Sequence, residues 1–175
     1  MKKLIAQFIL ILCSFFLFDF FQPLRVIPPL IDKAQRADLI VLEKAKHQLT
    51  LYRDHQVIKS YTVALGHDPV GPKSKEGDGK TPEGDYSIDS KNGRSRFHLA
   101  LHISYPSEAD RQAAIKQGVS PGSDIMIHGV MNGLGYLGSI HKKFDWTNGC
   151  VAVSNGEIEE IWQYVEVGTP IKMLP

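Results

Sequence analysis

The sequence predicts a β-rich domain with two short helices, and three observations carry that prediction. Short apolar stretches recur with strand-like alternation, seen most cleanly in Gln48-Leu49-Thr50-Leu51-Tyr52-Arg53. Two serine-led helix starts stand out, Ser107-Glu108-Ala109-Asp110 and Ser154-Asn155-Gly156-Glu157; the second is a full capping box, and the first has Asp where Glu or Gln is usual. A long loop from Gly66 to Gly84, rich in glycine and proline, interrupts the pattern, and such a loop inside a compact domain more often carries function than not. With 175 residues, 43% hydrophobic and 22% charged, the chain has room for one domain with a real core and a short appendage.

The appendage comes first. Met1-Lys2-Lys3 is followed by a run from Leu4 to Phe18 in which Gln7 is the one strongly polar residue. Residues 1–21 therefore read as a signal peptide or a signal anchor. The run is somewhat shorter than the ~20 residues of a comfortable spanning helix. No small-x-small cleavage site follows it, which favours an anchor in the inner membrane with the lysines cytoplasmic and the domain outside. The expected location is thus the cell envelope, periplasmic or extracytoplasmic. Residues 22–37, with Pro23, Pro28 and Pro29, read as a linker, and residues 38–175 as the domain. A formal charge of +1 without a basic stripe argues against nucleic acid as a partner.

Within the domain, residues 38–42, 48–53 and 57–65 are expected as the first strands, and residues 85–89 resume after the loop. In 97–104, alternation puts Leu99, Leu101 and Ile103 on the core face and His98, Ala100, His102 and Ser104 on the other. A helix from Ser107 closes at Gly118. A strand over 124–128 ends at Gly129, a second helix runs to about Tyr164, and 170–174 closes the domain as a short strand.

Cys13 falls inside the apolar run, so Cys150 is the lone thiol of the exported part; it has no internal disulfide partner and is intermolecular, buried or reactive. A structural, buried cysteine is an even alternative until the neighbours are weighed. The flanking Thr147-Asn148-Gly149 is turn chemistry rather than core chemistry. A nearby imidazole could take the thiol proton, and His128, at a strand end before Gly129, is the best placed. His141 lies beside Lys142 and Lys143, as in a solvated turn. His98 and His102 are equally readable as pocket lining and as satisfied surface histidines. A zinc site from His98, His102, His128 and Cys150 matches no compact ligand spacing. Gly77-Asp78-Gly79-Lys80-Thr81 lacks the spacing of a phosphate loop.

These residues resemble the L,D-transpeptidase catalytic domain family of bacterial cell-wall enzymes, from about Asp38 to Leu174. The resemblance rests on Ile127-His128-Gly129 and Thr147-Asn148-Gly149-Cys150-Val151, supported by Lys80-Thr81-Pro82-Glu83-Gly84-Asp85-Tyr86 and Arg96-Phe97-His98 to Tyr105. It implies a mainly β, β-sandwich-like fold with two short α-helices. It implies attack on the bond between the third residue of a peptidoglycan stem and the terminal D-Ala, with a thioester passed to an amine and with carbapenems trapping the thiol. Cys150 is then the nucleophile, His128 the base, and the Gly149 and Cys150 amides the oxyanion donors. Gly129, Thr147, Asn148, His98 and His102 are expected to bind substrate, and no cofactor or metal is implied. One position departs: many members carry His two residues before the cysteine, where this chain has Asn148. The same site used hydrolytically, as a carboxypeptidase or amidase, is the near alternative; a non-catalytic wall-binding module and a metal hydrolase are more distant ones.

Overall fold

The computed structural model describes residues 26–175. The predicted leader, residues 1–21, lies outside the described residues. The strands are β1 (Leu39–Glu43), β2 (Gln48–Arg53), β3 (Gln56–Thr62), β4 (Gly84–Ser95), β5 (His98–Ile103), β6 (Met126–His128), β7 (Val151–Ala152) and β8 (Pro170–Leu174); the helices are α1 (Glu108–Gln117) and α2 (Asn155–Tyr164). The strands join in one curled sheet in the order β3-β2-β1-β8-β4-β5-β6-β7. Isolated bridges from Ala64 to Ala152 and from Gly66 to Thr147 bring the chain after β3 against the β7 end. The curl therefore almost closes on itself, and the Thr147–Cys150 segment sits at the seam.

Alternation explains the core. In β1 every second residue is buried, so Ile40 and Leu42 are fully enclosed, and Leu49, Leu51, Leu99, Leu101 and Ile103 join them. Each such side chain contributes about 1.5–3 kcal/mol by leaving water. The helix α2 buries Ile158, Ile161 and Trp162, one face at helical spacing, whereas α1 buries Ala114 alone and lies on the surface. Both predicted caps form. Ser107 and Ser154 each accept from the backbone amide three residues on, and Asp110 completes its box as Glu157 does. Asp therefore substitutes for the usual Glu without loss of the reciprocal bond. The α1 helix ends at Gly118 in a left-handed conformation, as expected.

Three details differ from the sequence reading. β4 runs to Ser95 rather than ending near Asp89, because it bends through two register irregularities and serves both halves of the sheet. The two-residue β7 had no pattern of its own; it exists because Val151 and Ala152 pair in parallel with Ile127 and His128. The last part of the predicted linker is docked, not free. Ile31 N–H donates to Gln163 O at 3.1 Å, Ala37 N–H donates to Tyr164 O at 2.9 Å, and Arg36 pairs with Glu166 at 2.8 Å.

The Gly66–Gly84 loop is held by buried charge. Lys44, 3% exposed, donates to Gly71 O, Thr81 O and Glu83 Oε1 at 2.7–2.9 Å. Lys73 pairs with Asp78 at 2.8 Å, and Asp78 also accepts from the Ser74, Lys75 and Lys80 amides. Those donors hold the Asp78 carboxyl well below its ordinary range despite its burial. Each buried charge is thus fully partnered, the condition under which it is tolerated. The loop thus packs firmly against the Gly149 backbone beside Cys150.

Candidate active site

Cys150 precedes β7 and His128 ends β6. The parallel register, Ile127 opposite Val151 and His128 opposite Ala152, puts both residues on the same face of the sheet. Both line one cleft of about 550 Å³, together with Asn92, Ser95, Arg96, Phe97, Asp124, Met126, Trp146, Thr147 and Asn148.

His128 is 2% exposed. Its Nδ1 lies 2.7 Å from Gly129 O, a group that can only accept, so Nδ1 carries the proton and Nε2 is the basic nitrogen. The ring is boxed by Phe97, at 4.5 Å between centroids and 34° between planes, and by Trp146, at 5.8 Å and 69°. Burial pushes its pKa down to about 4, against a smaller upward pull from the Gly129 carbonyl. The imidazole is therefore neutral at pH 7. Burial likewise pushes the Cys150 thiol up, with the Met126 amide pulling the other way. The thiol donates to Asp124 O at 3.4 Å. Burial thus favours the uncharged form of both groups, which share one cleft.

Thr147 holds the turn. Its hydroxyl accepts from Gly149 N–H at 3.1 Å and donates to Cys150 O at 2.7 Å. The main chain on either side is fixed too, Thr147 N–H to Leu65 O and His67 N–H to Thr147 O. Asp145 secures the entry, accepting from Leu65 N–H at 2.8 Å and meeting His47 Nε2 at 2.9 Å. Gly149 sits at φ +123°, and a Cβ there would lie 2.6 Å from Lys80 O, so the position takes glycine on two counts.

The residues expected at the site divide. Cys150, His128, Thr147 and Asn148 line the cleft. The Gly149 amide is already donated to Thr147, whereas the Cys150 amide has no protein acceptor among the described residues, so of that pair Cys150 alone has an N–H to offer a ligand. Gly129 does not line the cleft; its carbonyl fixes His128, and the adjoining Val130 N–H is held by Asn155 Oδ1 at 2.9 Å. His98 turns away to α2, where Nε2 meets Glu159 at 2.6 Å, because a positive φ of 69° redirects it from simple strand alternation. His102 is also off the cleft wall, with Nδ1 at 2.7 Å from Asp89 and Nε2 at 3.8 Å from Asp124. These directions do not gather His98, His102, His128 and Cys150 around one point. His141 is not in a solvated turn. It is half-buried, its Nδ1 accepts from Trp146 Nε1 at 3.3 Å, and its buried Nε2 faces the Val153 backbone without reaching hydrogen-bond geometry.

Phe97, Trp146, Arg96 and Asp124 went unassigned in the sequence. The adjacency of Phe97 to His98 and of Trp146 to Thr147 is the one signal the sequence offers for them. Asp124 is at φ +59°, which aims its carbonyl at the thiol.

A thiol and an imidazole of fixed tautomer thus face one cleft from adjacent segments of the sheet, a combination that cysteine enzymes also use. The chain belongs to the L,D-transpeptidase catalytic domain family (YkuD), whose profile matches residues 37–173. It is 30% identical over 132 residues to the putative L,D-transpeptidase YafK of Escherichia coli K12, covering 72% of this chain and 46% of that protein. It is 27% identical over 159 residues to the putative L,D-transpeptidase YqjB of Bacillus subtilis, covering 90% of this chain and 83% of that protein. Among solved structures, the helical cell shape determining protein Pgp2 of Campylobacter jejuni superposes with a TM-score of 0.59 at 22% identity, over 82% of this chain and 51% of that one. The chain thus spans about half the length of YafK and of Pgp2.

Proposed function

We propose that this chain is a peptidoglycan L,D-transpeptidase acting through a thioester on Cys150. The observation that carries the reading is His128, buried, neutral and with Nε2 as its basic nitrogen, in the same cleft as the Cys150 thiol. Nε2 takes the thiol proton as sulfur bonds to the carbonyl carbon of the third stem residue. The Cys150 amide donates to the oxygen that gains charge, a contribution of about 3–4 kcal/mol in comparable sites. Collapse breaks the C–N bond, and the departing D-Ala amine takes the proton from His128. An acceptor amine then gives a proton to His128 and bonds to the acyl carbon as the C–S bond breaks and the thiol is restored. If water attacks instead, the same site is a carboxypeptidase or amidase. The reaction takes place outside the cytoplasm, with residues 1–21 as the membrane anchor.

The test uses the full chain. Intact mass after incubation with a carbapenem is expected to show one adduct, absent from Cys150→Ala; no adduct, or one that survives the substitution, would sink the acyl-enzyme reading. Incubation with a disaccharide-tetrapeptide, with and without an amine acceptor, then separates transfer from hydrolysis by product mass. Loss of D-Ala without acceptor incorporation would assign hydrolysis.

A further inference from the structure

Arg96 stands at the cleft mouth, exposed, in the turn between β4 and β5. Its guanidinium lies over the Phe97 ring at 5.5 Å, and Phe97 in turn lies 4.5 Å from the His128 ring, so at most about 10 Å separates the guanidinium from the imidazole centre. Among the described residues no carboxylate pairs with it, although most of the other arginines and many lysines in the domain do have carboxylate partners. The rest of the lining is apolar or neutral except for Asp124, whose carbonyl accepts from the Cys150 thiol and whose carboxylate lies 3.8 Å from His102 Nε2 rather than pairing with Arg96. Among the described residues the cleft therefore has one cation, held on the histidine side by stacking and without a carboxylate partner.

Chemistry fixes which part of a substrate meets that side. The departing amine receives its proton from His128, so the residue that leaves lies against His128, and hence against Phe97 and Arg96. In a stem peptide cut at its last bond, that residue ends in a free carboxylate, a few bonds from the scissile carbonyl. Resting on the acyl-enzyme reading above, we infer that Arg96 is the specificity residue that binds the carboxylate of the leaving amino acid by a charge-assisted, forked hydrogen bond. The amine that later attacks the thioester approaches over the same ground, so an acceptor with a carboxylate next to its amine, such as a free D-amino acid, is favoured by the same contact.

The test compares a stem tetrapeptide ending in a free acid with the same peptide ending in a carboxamide, and adds a third peptide whose third residue has no side-chain carboxylate. Binding is measured by calorimetry on the full chain carrying Cys150→Ala, and turnover is measured on the Cys150 protein. The native Arg96 is expected to favour acid over carboxamide by ~10-fold or more, the range for a hydrogen bond to a charged group. Arg96→Gln should erase that preference by weakening the acid peptide alone, and Arg96→Lys should restore part of it. Equal losses on acid and carboxamide, or none, would overturn the assignment and leave Arg96 as packing on Phe97. Discrimination that follows the third-residue carboxylate instead of the terminal one would also overturn it, by moving the contact to the other carboxylate. If the acid preference in binding holds while no peptide is cut, the fault lies with the catalytic reading, not with Arg96.

Discussion

The Gly129 carbonyl lies 2.7 Å from Nδ1 of His128 and thereby settles which nitrogen is basic. A backbone carbonyl cannot ionise, so it orients the ring without adding charge to a buried site. With Phe97 tilted against the ring and Trp146 in an edge contact with it, the imidazole is fixed in both tautomer and plane.

Because burial holds the His128 pKa near 4, acylation should keep its rate down to about pH 5 and lose it only near that value. The measurement is the rate of carbapenem adduct formation against pH. An acid limb near 6.5, the ordinary histidine value, would mean that the ring is far less enclosed in solution.

The same burial shapes stability. Between about 6.5 and 4 the unfolded chain binds a proton that folded His128 refuses, so stability is full above 6.5 and falls as pH drops through this window. Across the whole window the loss from this group is ~3 kcal/mol. Urea unfolding at pH 7 and at about pH 4.5 should show a smaller drop for His128→Gln than for the unaltered protein. Equal drops would assign the acid sensitivity to other groups.

Thr147→Val should remove two hydrogen bonds at once and strand the buried Gly149 amide, at a cost of about 1–3 kcal/mol. Slower acylation should accompany the lower melting temperature, and Thr147→Ser should recover much of both. A valine variant that acylates at the normal rate would show that the hydroxyl does not hold the nucleophile turn.

Asp145→Ala should leave the Leu65 amide without its acceptor and release His47, lowering stability by about 1–3 kcal/mol. Asp145→Asn keeps an acceptor and should cost less. Thermal unfolding of the pair checks the order, and a reversed order would remove Asp145 from the framework of the turn.

His128→Ala should slow acylation by ~10²–10⁴-fold, the usual worth of a general base. His141→Ala should slow it far less, since His141 reaches the site through Trp146 rather than facing the thiol. Equal losses, read by adduct mass over time, would mean that His141 shares the proton transfer.

Local patterns were legible in the sequence because their causes are local. The alternation of Leu49 and Leu51, the two serine caps and the glycine at 118 each depend on neighbours a few residues away. The lone thiol in a Thr-Asn-Gly turn and the histidine at an apolar strand end were visible for the same reason. The opposite fates of His98 and Phe97 were not. A positive φ turns His98 outward to Glu159, while Phe97 beside it packs on His128. Nor could spacing show that Thr147 takes up the Gly149 amide, that β7 exists only as the partner of β6, or that an arginine in a hairpin turn ends up over the ring that touches the base. Those relations depend on the curl of the sheet, which joins segments far apart in the chain, and no local propensity specifies them.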